Sequence, residues 1–357
     1  MTVSSRAGSS SAVLGAGNGG LALAGDLALQ GHDVRLYEHP DFSFSISELQ
    51  RTPRLTLVDA QGREQTAILR KVGDDLDEAL EGANLIHLVV PVSAQEVYFR
   101  MLLPRLGPDC TIVLWAGRLG SLRFKKLARQ AGMAAEDAKI AEVNTLPYGC
   151  RRIGERQVRI AFRALKMFAT GIPHESTRES LQPLQSTFPN ITIVKSAIEV
   201  ALRNSSMLVL GIGPLLNVGA IEAMQGNFAL FRDGMTSGVR RTVRAAHYEF
   251  IEVGRAWGVD IAPYPEEVYE HPTSVEGANF RDTSGGYDGF ALLTGPDRLF
   301  HRYTVENVRY GFAIIAELGR VKGVVTPTLD ALTHLADTIC GREFSSIGWK
   351  LEDLDLV

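Results

Sequence analysis

The stretch Ala12-Val13-Leu14-Gly15-Ala16-Gly17-Asn18-Gly19-Gly20 decides the fold. Three apolar residues in a strand pattern run into Gly-x-Gly-x-x-Gly, and the apolar spacing from Leu21 to Leu29 is helical. Gly15 permits the tight turn. Gly17 lets the backbone approach a pyrophosphate, and Gly20 lets the helix pack closely on the strand. Asn18 and Gly19 complete the elbow, where the helix start presents unpaired N–H groups and the positive end of its dipole to phosphate. A second strand, Val34-Arg35-Leu36-Tyr37, ends at Glu38, 18 residues beyond Gly20. That is near the spacing of about 20 at which a carboxylate meets a ribose hydroxyl. The reading is a nicotinamide dinucleotide site built on Gly15, Gly17, Asn18, Gly19, Gly20 and Glu38. The competing reading is a glycine turn that only packs a helix. The Glu38 charge favours NAD because it repels a 2′-phosphate, whereas His39, Arg51 and Arg54 close by keep NADP open.

Bulk properties narrow the class. The chain has 357 residues, room for about two domains, and a 45% hydrophobic fraction that can fill two cores. The net charge of −4 and the scattered basic residues argue against a nucleic-acid partner. Cys110, Cys150 and Cys340 lie far apart without metal-ligand spacing, so neither a metal site nor a disulfide framework is expected. A reducing cytoplasm fits best. The Ser-rich first ten residues read as a disordered lead-in, not a signal peptide. No apolar run is long enough to span a bilayer, so no membrane association is expected.

The first half alternates strand and helix patterns. Leu85 to Val90, Thr111 to Trp115, Lys139 to Val143, Val158 to Phe162 and Ile191 to Val194 read as strands, and Leu122 to Ala131 as a helix. Leu55 to Leu69 reads as a hairpin around Asp59-Ala60-Gln61-Gly62. Mostly apolar strands separated by helices imply a parallel sheet covered on both faces. After Ser196 helical periods dominate: Ala197 to Glu222, Thr236 to Trp257, Val305 to Gly319 and Thr328 to Cys340. Glu266 to Asp297 reads as long loops. The expected fold is therefore α/β, a Rossmann-type dinucleotide-binding domain over residues 1–196, followed by an all-helical substrate domain over 197–357. The helical half leaves room for a homodimer. A small ligand is expected beyond the carboxyl ends of the strands, in a cleft lined by Pro91-Val92-Ser93, Ala116-Gly117-Arg118 and Asn144-Thr145-Leu146-Pro147-Tyr148. Pro91 thereby joins the cofactor-binding set.

Several segments, in order, resemble the octopine/nopaline (opine) dehydrogenase family. They are Gly15 to Gly20, Thr145-Leu146-Pro147-Tyr148, Leu215-Leu216-Asn217 with Ile221-Glu222, Phe231-Arg232-Asp233-Gly234-Met235-Thr236, Gly295-Pro296 with Arg302-Tyr303, and Glu317-Leu318-Gly319 with Thr326-Pro327. The resemblance implies a Rossmann domain joined to a helical domain. It also implies reductive condensation of an amino acid with a 2-oxo acid by NADH or NADPH. It places an acid–base histidine shortly before the Leu-Leu-Asn segment, where this chain has Leu210. It places that histidine's aspartate partner five residues after the Arg-Tyr arginine, where this chain has Asn307. Of that trio only Arg302 remains.

Condensation needs a neutral amine, a proton for the departing water and a dry site for hydride transfer. An imine that arrives already protonated needs only positioning against the nicotinamide. The chain is therefore expected to be an oxidoreductase acting on C–N bonds, with either an amino acid and an oxo acid or a preformed imine as substrate. Arg302, whose planar fork suits a carboxylate, is the expected substrate anchor; a structural ion pair with Asp297 is its bland reading. Asn217 is expected to orient a substrate carbonyl or the nicotinamide amide, or else to satisfy buried backbone groups, and Thr145 to contact substrate near the sheet edge. His301, Glu306 and His247 are the candidates for a substitute proton carrier, and Tyr148 a weaker one than its reading as a packed aromatic. Two other readings stay open: a catalytically degenerate dinucleotide-binding protein, and cofactor-supported chemistry on an amino acid without net redox change.

Overall fold

The computed structural model describes residues 10–134, 139–173, 177–263, 295–341 and 348–356. The Ser-rich lead-in before Ser10 and the loops read across 266–294 lie outside the described residues. The strands are β1 (Ser10–Leu14), β2 (Asp33–Tyr37), β3 (Arg54–Val58), β4 (Glu64–Ile68), β5 (Lys71–Gly73), β6 (Leu85–Leu88), β7 (Thr111–Trp115), β8 (Lys139–Val143), β9 (Tyr148–Gly154), β10 (Gln157–Arg163), β11 (Met167–Ile172) and β12 (Ile191–Ile193). The first helices are α1 (Asn18–Leu29), α2 (Ser47–Arg51), α3 (Leu76–Leu80), α4 (Val92–Leu102), α5 (Gly120–Gln130) and α6 (Thr177–Thr187). They are followed by α7 (Ala197–Leu202), α8 (Ser205–Leu216), α9 (Val218–Met224), α10 (Ser237–Ala256), α11 (Arg302–Asn307), α12 (Ala313–Val321) and α13 (Pro327–Cys340).

Two compact units result. One holds Met1–Val90, Ala94–Ala116 and Leu127–Ile193; the other holds Pro91–Ser93, Gly117–Lys126 and Val194–Val357. The first is a Rossmann-like sheet of eight strands in the order β12-β11-β8-β7-β6-β1-β2-β5. Strands β1, β2, β5, β6, β7 and β8 run parallel, while β11 pairs antiparallel with β8. The sheet is parallel-rich as expected, and its exception, β11 (Met-Phe-Ala-Thr-Gly-Ile), is a strand that apolar runs along the sequence do not reveal. The strand around Val158 does not join this sheet. It belongs to a second sheet, β4-β3-β10-β9, that includes the expected hairpin.

That second sheet explains α1. A helix on one sheet face keeps a polar stripe for water, yet Gly19 through Leu27 are all buried. The small sheet covers the outer face: a Cβ on Gly25 would stand 2.1 Å from Leu57 Cδ1. Packed between two sheets, α1 has to satisfy its one buried charge, Asp26, internally.

The second unit is helical. The apolar stretch expected from 197 to 222 breaks into three helices, with a 70° bend between α8 and α9 at Asn217. Pro214, which lacks an N–H, precedes that bend and weakens the end of α8. A π-turn, Val308–Phe312, links α11 to α12. Helix α13 starts on Pro327, and its amides at Thr328 and Leu329 donate to Glu249 of α10 at 2.7 and 2.9 Å. Among the described residues no single helix is long and apolar enough to cross a membrane.

Candidate active site

In the sheet unit the three glycines have three different environments. Gly15 sits at φ +98°, and a Cβ there would meet Val89 O at 2.6 Å. A Cβ on Gly20 would lie 1.7 Å from Gly15 O, so no side chain fits. Gly17 is exposed and has nothing within 4 Å of its Cβ position. It also caps α1 without a side-chain hydrogen bond. The first amides of α1 therefore face an open approach, the arrangement that accepts a pyrophosphate. Glu38 is tied to the same turn: Oε2 accepts from Ala16 N and Oε1 from His39 N, each at 2.8 Å. The Tyr98 hydroxyl lies beside it, its pKa pushed up by burial first and by the Glu38 charge second. Of the alternative cations Arg54 is exposed and two are engaged. Arg51 pairs with Glu48 at 2.6 Å, and His39 Nδ1 accepts from Asp41 N. Pro91 is exposed, directly ahead of α4.

The loop after β8 closes on the elbow. Leu146 Cδ1 lies 2.7 Å from where a Gly19 Cβ would stand, which puts half-buried Thr145 next to the turn. Asn18 Oδ1 accepts from Arg152 N at 2.9 Å, and Cys150 Sγ donates to Asn18 O. Asn18 thus anchors β9 to the elbow. Tyr148 is buried, and its hydroxyl donates to Asp26 Oδ2 at 2.6 Å. Arg163 adds two hydrogen bonds to the same carboxylate, at 2.9 and 2.6 Å. Burial acts to raise the Asp26 pKa, but the Arg163 and Tyr148 hydrogen bonds outweigh it and hold the carboxyl below its usual range. Tyr148 is a structural donor, in line with its packed-aromatic reading.

In the helical unit, Arg302 opens α11 and is exposed. Its expected alternative partner, Asp297, faces Arg298 instead, at 3.9 Å. His301 caps α11, its Nδ1 accepting from Tyr303 N at 3.3 Å. His247 is buried on α10, and burial brings its pKa down to about 4. Asn217 uses Nδ2 on two backbone carbonyls, Gly213 O at 2.8 Å and Gly234 O at 3.0 Å, and so pins the α8–α9 bend. Leu210, where the resemblance expects a histidine, precedes Gly211. A Cβ on Gly211 would meet Asn307 Cβ at 2.9 Å, so α8 and α11 cross at the two positions in question.

The residue that sequence reasoning underrates is Arg118, which it sets in the loop after β7 without a role of its own. Arg118 is only 7% exposed, and its Nη2 donates to Asn307 Oδ1 at 2.6 Å. Burial pushes its pKa down to about 10, with Glu306 pulling it back up and Arg302 pushing it further down. Glu306 is also buried. Arg118, Arg302, Glu306 and Asn307 are therefore neighbours. One local signal points to Arg118: a charged residue in a small-residue turn directly after a buried strand.

Comparison with known proteins agrees with this picture. Residues 193–340 match the family described as NAD/NADP octopine/nopaline dehydrogenase, alpha-helical domain. Residues 10–118 match the N-terminus of NAD-dependent glycerol-3-phosphate dehydrogenase. An opine dehydrogenase from Arthrobacter sp. strain 1C is 27% identical over 348 residues, covering 97% of this chain and 94% of that protein. An octopine dehydrogenase structure with NADH and L-arginine aligns at TM-score 0.68 and 20% identity, covering 93% of this chain and 90% of the other. A yersinopine dehydrogenase with NADP+ aligns at 0.70 and 15% identity, covering 98% of each. Fold and elbow define the class as an NAD(P)-dependent oxidoreductase. Within that class the helical half of the chain matches the octopine/nopaline dehydrogenase family, and the chain is similar to an opine dehydrogenase over nearly its whole length.

Proposed function

We propose that the chain reduces the imine of an amino acid and a 2-oxo acid, taken either as the two separate compounds or as a preformed imine. The observation that carries this reading is the elbow, where Gly15 and Gly20 have no room for a side chain while Gly17 stands open. Gly17, Asn18, Gly19 and Gly20 hold the pyrophosphate and Glu38 the ribose. NADH is the proposed coenzyme because the Glu38 carboxylate is fixed at the turn and would repel a 2′-phosphate. When bound, the reduced nicotinamide supplies the hydride that the imine carbon accepts.

The chain's own residues supply positioning. Arg302 binds a substrate carboxylate by charge-assisted hydrogen bonds. Thr145, next to the elbow, orients the nicotinamide. Asn217 acts as a positioning residue through the bend it pins, and His301 through the cap that fixes the start of α11 and hence Arg302. With Leu210 and Asn307 where the resemblance expects histidine and aspartate, no histidine stands there to move a proton. A substrate that arrives as a protonated imine does not require one.

The test is a substrate screen that follows reduced-coenzyme absorbance. Amine plus oxo-acid mixtures are run beside preformed cyclic imines, with NADH and NADPH. Turnover with NADH at about 10-fold or more the NADPH efficiency is expected, and Glu38→Ala should erase that preference. Coenzyme binding without turnover on any substrate would overturn the reading in favour of a non-catalytic dinucleotide-binding protein.

A further inference from the structure

The helical unit buries two charged side chains, Arg118 and Glu306, close to Arg302. Arg118 is fixed by one bond, to Asn307, while its Nε and Nη1 are buried and have no acceptor among the described residues. Glu306 Oε1 is buried and has no donor among them. Opposite charges that influence each other, yet leave two donors and an acceptor unmade, form an incomplete set. Buried polar groups are ordinarily paired, so each exception asks for a missing partner. The backbone adds a second, independent sign. Ala116, Arg118 and Leu119 adopt φ of +52°, +52° and +67°, left-handed values that residues with a Cβ rarely take. Such strain collects where a side chain must be held in a particular place.

The charges indicate the missing partner. Arg118 and Arg302 bring two guanidiniums, and Glu306 one carboxylate. The complement is a molecule with two carboxylates and one amine nitrogen that carries hydrogen. We propose that Arg118, Arg302 and Glu306 form a receptor for an iminodicarboxylate, in which Arg118 binds one carboxylate, Arg302 the other, and Glu306 Oε1 accepts the amine N–H. An amino acid joined through its nitrogen to a reduced oxo acid has this composition, so the natural ligand, though not the receptor chemistry, rests on the reductase reading. Asn307 then has a definite role. Its Oδ1 orients Arg118 without adding a negative charge that would compete with the ligand.

Iminodiacetate, the smallest such compound, is the probe, titrated calorimetrically into the full chain with and without NAD+. N-methylglycine, with the same kind of amine but one carboxylate, is the control. The parent should bind iminodiacetate at least about 10-fold tighter than the control, the scale of charge-assisted hydrogen bonds. Arg118→Gln should lose that advantage, and Arg118→Lys part of it, with NADH affinity retained. Glu306→Gln should weaken both ligands together. No binding of iminodiacetate to the parent, or an unchanged advantage in Arg118→Gln, overturns the receptor and leaves an internal Arg118–Glu306 pair. The two readings fail separately. Receptor binding without turnover counts against the reductase alone, and turnover indifferent to Arg118 counts against the receptor alone.

Discussion

Each unit buries a group of charges, and the two groups are built on opposite terms. Asp26, 4% exposed on α1, accepts from Tyr148, from Gln30 and twice from Arg163. Arg118, 7% exposed, has one bond and two unused donors, beside a Glu306 oxygen with none among the described residues. A fully satisfied buried network rigidifies, because every member loses something when one is removed. A network left short is a poor source of stability and a good source of affinity, since a ligand can complete it. The Asp26 group holds the small sheet onto α1. The Arg118 group is suited to bind.

The sharpest way to break this comparison is Asp26→Ala. It removes the acceptor that three side chains share and should lower unfolding free energy by about 3–5 kcal/mol in urea titrations. A loss under about 1 kcal/mol would show that the network holds little. Next in size is a pH effect at a buried histidine of the main sheet. His87 accepts from Trp115 Nε1 at 3.2 Å, its Nε2 has no partner among the described residues, and burial pushes its pKa down to about 3. The unfolded chain takes up the proton first, near pH 6.5, so stability is full above that value and falls as pH drops toward 3. Between about pH 6.5 and 4 the loss should be about 3 kcal/mol, and His87→Gln, which keeps an acceptor without titrating, should flatten it. Asp26 works lower on the scale: its folded pKa is depressed, so its contribution persists above about pH 4 and fades only below.

The third experiment acts on the other side. Arg118→Gly, combined with Glu306→Gln so that no lone charge remains, relieves a left-handed φ of +52°. Unfolding free energy should stay level or rise by about 1 kcal/mol while iminodiacetate binding disappears. A drop of more than about 2 kcal/mol would make the Arg118 group structural and erase the contrast. The smallest effect expected is that of Tyr148→Phe, about 1 kcal/mol of stability with an unaltered pH–rate profile. A shifted profile would mean that the buried hydroxyl moves protons after all.

What can be read along the chain follows local periodicity. Strands Thr111–Trp115 and Lys139–Val143 appear with the expected bounds because they are apolar runs between turns. The glycine roles can be assigned because each answers a local demand of the turn. Less visible is anything set by a neighbour distant in sequence. Strand β9 (Tyr-Gly-Cys-Arg-Arg-Ile-Gly) has no alternation to betray it, since its place depends on Asn18 and the Phe162 ring of β10. Arg118 looks like any surface arginine until Asn307, 189 residues away, accepts its hydrogen bond.

By itself the sequence determined that a dinucleotide elbow opens a Rossmann-like unit and that a helical unit follows. These are statements about residue types and short spacings. Only the tertiary structure decided that α1 is enclosed by a second sheet, that Asn217 and Tyr148 direct their donors to the fold, and that Arg118 and Glu306 lie together with bonds unmade among the described residues. Burial and pairing depend on which distant segments meet, and no local pattern records that.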